Sequence, residues 1–190
     1  MDGSQSTPPA EIRRRRFSAS DVQAMLKAGV LKDGERVELL WGELVEMSPQ
    51  GPLHWDVTHV LVRWFLRNLP EDLTAASQGP LRLTDHHEPE PELFVFPHGM
   101  NVNDVRGPDA LLVVEIAHTS LDFDLKIKAP LYAEHGVREY WVVDVENRRT
   151  LVHRLRADDS YGEPEAVAFS ATLSAPGGLA LILADLAPKS

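Results

Sequence analysis

The chain has 190 residues, 43% apolar and 25% charged, with a formal net charge of −10 and no cysteine. That is enough chain for one domain with a sizeable hydrophobic core, at an ordinary globular composition. It excludes disulfides and thiolate metal sites, and it excludes a protein that coats nucleic acid by charge alone, although a local basic strip can coexist with an acidic whole. No apolar run reaches the roughly 18 residues of a membrane span. The arginines at 13–16 are not followed by the apolar core of a signal peptide, so a cytoplasmic protein is expected.

Residues 1–16 read as a disordered N-terminal arm, small, polar and Pro-containing before the arginine run. Residues 17–187 read as a single domain. Ser18 or Ser20 caps a short helix through Met25 and Leu26 that stops at Gly29. The runs RVELL and ELVEM flank Trp41-Gly42 and predict a hairpin, although Trp41 is not the residue a type I′ turn prefers. After the breaker at 48–52, Val57, Val60, Leu61, Trp64 and Phe65 recur at helical spacing, with His54 just ahead of the helix. Asp56, His59, Arg63 and Arg67 form its solvated stripe. His54 and His59 are five apart, a poor spacing for a zinc pair on one helix face.

Residues 73–83 suit an irregular strand, broken at Gly79-Pro80. The prolines of 85–92 enforce an extended segment in which His86 and His87 are exposed. LFVF and LLVVEIA are short unbroken apolar runs of the kind a sheet buried on both faces needs. Ser120 starts a helix toward Gly136, kinked or delayed by Pro130. Two more strands span 138–145 and 149–155, before a short strand and a final apolar segment, LALILADL. The predicted architecture is α/β: a mixed β-sheet flanked by helices.

A buried strand rarely carries a charge without a partner. Glu115, inside VVEIA, therefore calls for a cation: a structural Lys or Arg in the core, or else a divalent metal or a catalytic lysine. Glu92 opens the neighbouring apolar run. Strands lie about 4.8 Å apart, so Glu92 and Glu115 are placed to share one ion. Oxygen ligands suit Mg²⁺, with Mn²⁺ as its substitute. Lys128 and Asp124 are four apart and share a helix face, which would let the lysine orient a water and stabilise charge on a phosphate.

The segments RVELLWGELVEMSPQGPLH, PEPELFVF, LLVVEIAHTSLDFDLKIKAPLYAEHGVREYWVVD and LALILADL together resemble the Uma-type putative endonuclease family, of the PD-(D/E)XK restriction-endonuclease-like superfamily. The resemblance spans roughly residues 17–187. It implies a restriction-endonuclease-like core and a Mg²⁺-dependent nuclease acting on nucleic acid, DNA first. It puts the first acid at Glu92, the second at Glu115 and the lysine at Lys128, with Glu43, His54 and Asp124 in support. Two departures stand out. The usual Pro-Asp is Pro91-Glu92, whose extra methylene shifts the carboxylate by one bond, and the usual Asp-Gly turn is Trp41-Gly42. The alternative is a catalytically idle member of the fold, acting as a binding or regulatory module. A homodimer is also expected, from the apolar C-terminal segment and because such folds often pair to cut two strands.

Overall fold

The computed structural model describes residues 14–32, 34–47 and 50–186. Most of the expected N-terminal arm, 1–13, lies outside the described residues. The end of the arginine run is tied to the domain: Arg16 Nε donates to the Trp41 carbonyl at 2.8 Å, and Arg15 stands 3.6 Å from Asp21. Helix α1, Ala19–Lys27, opens on a reciprocal capping box between Ser18 and Asp21. It ends at Gly29, whose φ of +68° suits the left-handed stop.

Strands β1 (Val37–Leu40) and β2 (Glu43–Glu46) pair antiparallel around Trp41-Gly42. Both turn residues have positive φ, 52° and 75°, as a type I′ turn requires. Tertiary contacts hold Trp41 in that costly conformation. Its N–H donates to His87 Nδ1 at 3.1 Å, and its ring meets the His87 ring edge-on.

His87 is thus not exposed as its polar, Pro-rich neighbourhood suggests: it is buried. Burial, and the neighbouring His135 and Arg16, press its pKa from 6.5 down to about 4. The unfolded chain therefore binds the proton more readily. Stability should be fully present above pH 6.5 and be lost as pH falls toward 4, by an amount on the order of 1 kcal/mol. Urea midpoints at pH 7 and pH 4.5 check this. His87→Gln, which keeps an acceptor for Trp41, should lose less than wild type across that interval, and an equal loss would remove His87 as the cause.

The main sheet has six strands in the order β3-β4-β5-β6-β7-β8. They are β3 (Leu73–Ser77), β4 (Leu93–Pro97), β5 (Leu112–Ala117), β6 (Glu139–Asp144), β7 (Arg149–Arg154) and β8 (Glu165–Ala168). Neighbours are antiparallel except β5 and β6, which run parallel. A parallel pair needs a crossover. Here it is a helical segment on one face: α3 (Leu121–Phe123), a π-helical turn (Asp124–Lys128) and α4 (Ala129–Glu134).

Pro130 sits in the first turn of α4, where its missing N–H costs least. The π turn precedes it, and the Ala129 N–H donates to the Asp124 carbonyl five residues back. Ser120 does not cap this segment with its side chain; its hydroxyl donates to Asp124 Oδ2 at 2.7 Å instead.

Helix α2 (Pro52–Asn68) covers the other face. Val57, Leu61 and Phe65 pack there against Leu93, Val95, Val114, Ile116 and Trp141. Asp56, His59, Arg63 and Arg67 stay in solvent, as the helical period predicts. His54 is not ahead of the helix but within its first turn, buried, because Pro52 is the first helical residue.

The final apolar stretch forms β9 (Thr172–Ala175), β10 (Leu179–Ile182) and α5 (Leu183–Leu186). Leu173, Leu181 and Leu183 are buried in the same core as Phe65 and Trp141. These three leucines are spent on the chain's own core and are not offered to a second copy.

Candidate active site

The β4–β5 register pairs Leu93 with Val114, so the next pair outward sets Glu92 against Glu115. Phe94, Phe96, Val113 and Ala117 share one core, which puts both glutamates on that face by the two-residue period of a strand. Glu92 Oε2 accepts the Ile116 N–H at 3.1 Å. Its Oε1 lies 2.9 Å from His54 Nε2 and accepts from Gln50 Nε2 at 3.3 Å. The extra methylene of Glu92 is therefore used: it carries the carboxylate to a backbone donor on the next strand, which a shorter Asp side chain would draw away from.

Lys128 reaches the pair from the π turn. Its Nζ donates to Glu115 Oε1 and to Glu38 Oε1, both at 2.8 Å, and all three side chains are buried. Tyr132, one turn on, donates its hydroxyl to Glu115 Oε1 at 2.9 Å. Asp124 is buried beside them, fixed by Ser120. Four carboxyls thus surround one ammonium and one imidazole.

The electrostatics follow from that count. Burial opposes ionisation of Glu92, but the His54 hydrogen bond, a hydrogen bond with Glu115 and the Lys128 charge outweigh it, and its pKa falls to about 2. Glu115 goes the other way: burial pushes it well above the usual carboxylate range, and Glu92 and Asp124 add to this against the pull of Lys128. Burial also raises Asp124, to about 6. Lys128 is held protonated by Glu115, Glu38 and Asp124 against its own burial. Environment has driven the acid pair apart, Glu92 toward the ionised form and Glu115 toward the protonated one.

The structure brings together Glu92, Glu115, Lys128, His54 and Asp124, and all five line one pocket of about 320 Å³. Glu43 is not among them. It stands exposed on β2, paired across the hairpin with Leu40, and the hairpin glutamate that enters the site is Glu38. Lys126 faces solvent and pairs with Asp122 at 2.7 Å. Sequence reading missed Glu38, Tyr132 and Gln50. For Glu38 a signal was present: a charge beside Leu39 and Leu40 in an apolar strand, the same sign that marked Glu115.

Among the described residues, no three His, Asp or Glu side chains form a ready-made metal cage. The donor set still fits a hard divalent cation. The site carries an excess of carboxylate oxygens over cations, and Mg²⁺ commonly takes one or two carboxylates and completes its shell with water and substrate oxygens.

A mixed sheet flanked by helices, with its acids at the β4–β5 edge of a pocket, is a restriction-endonuclease-like fold, a scaffold of nucleases. Residues 20–186 match the family Uma2, described as "Putative restriction endonuclease", and the chain belongs to that family. The fold is similar to that of a crystal structure titled a putative nuclease belonging to DUF820, from Anabaena variabilis, with a TM-score of 0.63. That match has 17% sequence identity and covers 80% of this chain and 89% of the other, a likeness of fold. A search of curated proteins finds no match.

Proposed function

We propose that this protein is a divalent-metal-dependent endonuclease that hydrolyses phosphodiester bonds in DNA. The observation that carries the reading is the cross-strand pair Glu92 and Glu115, with Lys128 Nζ 2.8 Å from Glu115, in one pocket. The family's description as restriction endonucleases supports DNA as the substrate. Glu92 and Glu115 are the residues that would hold Mg²⁺ or Mn²⁺. Bound there, such an ion supplies positive charge at the phosphate and a water of lowered pKa.

The chain's own residues do the rest. Lys128 places a fixed positive charge where negative charge builds on the phosphate, and it does so in a buried site where that charge is least screened. Tyr132 holds Glu115 in place, and His54 and Gln50 hold Glu92. Asp124, with its pKa near 6, is suited to take up or release a proton close to neutral pH.

The test is nicking of a supercoiled plasmid with Mg²⁺ or Mn²⁺, with and without EDTA. Slow nicking that EDTA abolishes is expected. Silence across several metals would sink the nuclease reading.

One observation favours the competing reading, an idle fold that only binds. Among the described residues lining the pocket, the Lys and Arg side chains are Arg36 and Lys128, against Glu38, Glu46, Glu92, Glu115 and Asp124. That reading predicts DNA binding without EDTA-sensitive cleavage.

A further inference from the structure

We propose that Glu38 is a positioning residue that aims the Lys128 ammonium into the pocket and holds the Glu92 strand beside it; the inference rests on the nuclease reading above. Glu38 sits on the β1–β2 hairpin, outside the main sheet, yet its side chain is 1% exposed. Its Oε1 accepts two hydrogen bonds from different parts of the site. One comes from Lys128 Nζ at 2.8 Å. The other comes from the Glu90 N–H at 2.8 Å, two residues before Glu92.

The geometry makes Glu38 a brace between three segments. An ammonium has three N–H bonds. Glu38 and Glu115 take two of them, which fixes rotation about the Cε–Nζ bond and leaves the third for the pocket that Lys128 lines. With Glu115 alone the ammonium would be free to turn about one contact. The Glu90 contact does the same for the backbone. Residues 90–92 lead into β4, and anchoring Glu90 sets where Glu92 stands when it takes the Ile116 N–H.

Burying a third carboxylate next to Glu115 is costly, and a merely structural hairpin has no need of it. Neither the extended 88–92 segment nor the hairpin requires the charge for its own pairing, since Leu39 already bonds Glu88 backbone to backbone in both directions.

Glu38→Ala is expected to lower kcat for plasmid nicking about 10²-fold, because charge stabilisation depends on position, with KM for DNA changed less than about threefold. Glu38→Gln keeps an acceptor oxygen for both Lys128 and Glu90. It should recover activity to within about tenfold of wild type, a rescue that tells positioning from bulk stability. Should Glu38→Ala fail to fold, Glu38→Asp replaces it: its shorter arm withdraws the shared oxygen from both donors, and it should fall below Glu38→Gln.

Thermal unfolding of Glu38→Gln, Lys128→Met and the double variant reads the brace without turnover. Lys128→Met strands Glu38 as a buried charge, so the double variant should melt no lower than Lys128→Met alone. The proposal is overturned if kcat of a folded Glu38→Ala stays within about threefold of wild type, if Gln rescues no better than Ala, or if the two losses in Tm simply add. Wild type that shows no EDTA-sensitive nicking while the Tm losses fail to add would overturn the nuclease reading and support the Glu38–Lys128 brace by itself.

Discussion

Lys128→Ala is expected to abolish EDTA-sensitive nicking and to cost about 3–5 kcal/mol of stability. Both effects come from one geometry. The ammonium is buried and shared by Glu38 and Glu115 at 2.8 Å each. Removing it leaves two buried carboxyls facing each other with Asp124 nearby and no ammonium among them. It also removes the one Lys ammonium among the described residues lining the pocket, the group proposed to meet charge developing on a phosphate. Lys126 is no substitute, because it points to solvent and pairs with Asp122. Plasmid nicking and urea unfolding check the two halves. Nicking at the wild-type rate in a folded Lys128→Ala protein would strip Lys128 of its role.

Glu115→Gln should separate chemistry from stability. Nicking should fall by about 10²-fold or more, since the proposed mechanism gives Glu115 one of the two carboxylates that would hold the metal. The heat of Mg²⁺ or Mn²⁺ binding, weak in wild type because the protein offers few ligands, should be lost as well. Stability should hold or rise. Gln fills the same space, and its carbonyl can accept from Lys128 and Tyr132, while a charge that burial disfavours is removed.

The sign can be worked from the shift. A carboxyl whose folded pKa lies above 4.5 binds its proton more tightly in the folded chain, so its contribution to stability shrinks as pH rises above 4.5. Glu115→Gln removes that slope. Unchanged calorimetric heats would argue against Glu115 as a ligand. A large loss of stability with full nicking would make Glu115 and Lys128 a structural pair and no more.

What the sequence by itself determined is local. Apolar runs marked β4 and β5, the helical period marked the buried face of α2, and Ser18 and Gly29 marked the ends of α1, because periodicity and capping act within a few residues. The acids were legible for a related reason: a charge at the head of, or inside, an apolar strand has to be explained. Sheet order was not legible, since the parallel β5–β6 pair depends on how the crossover packs. Nor were the partners. Lys128 meets Glu38 90 residues away, Glu92 meets His54 from another element, and His87 is buried only because the Trp41 turn and His135 close over it. Glu43 and Glu38 look alike in the chain, five residues apart on one hairpin. The register sets Glu38 opposite Val45 and Glu43 opposite Leu40, so both fall on one face of the hairpin. Which of them enters the pocket was decided by the end of the hairpin that docks there, Glu43 lying beside the turn, and that docking is set by long-range packing that no short stretch of sequence encodes.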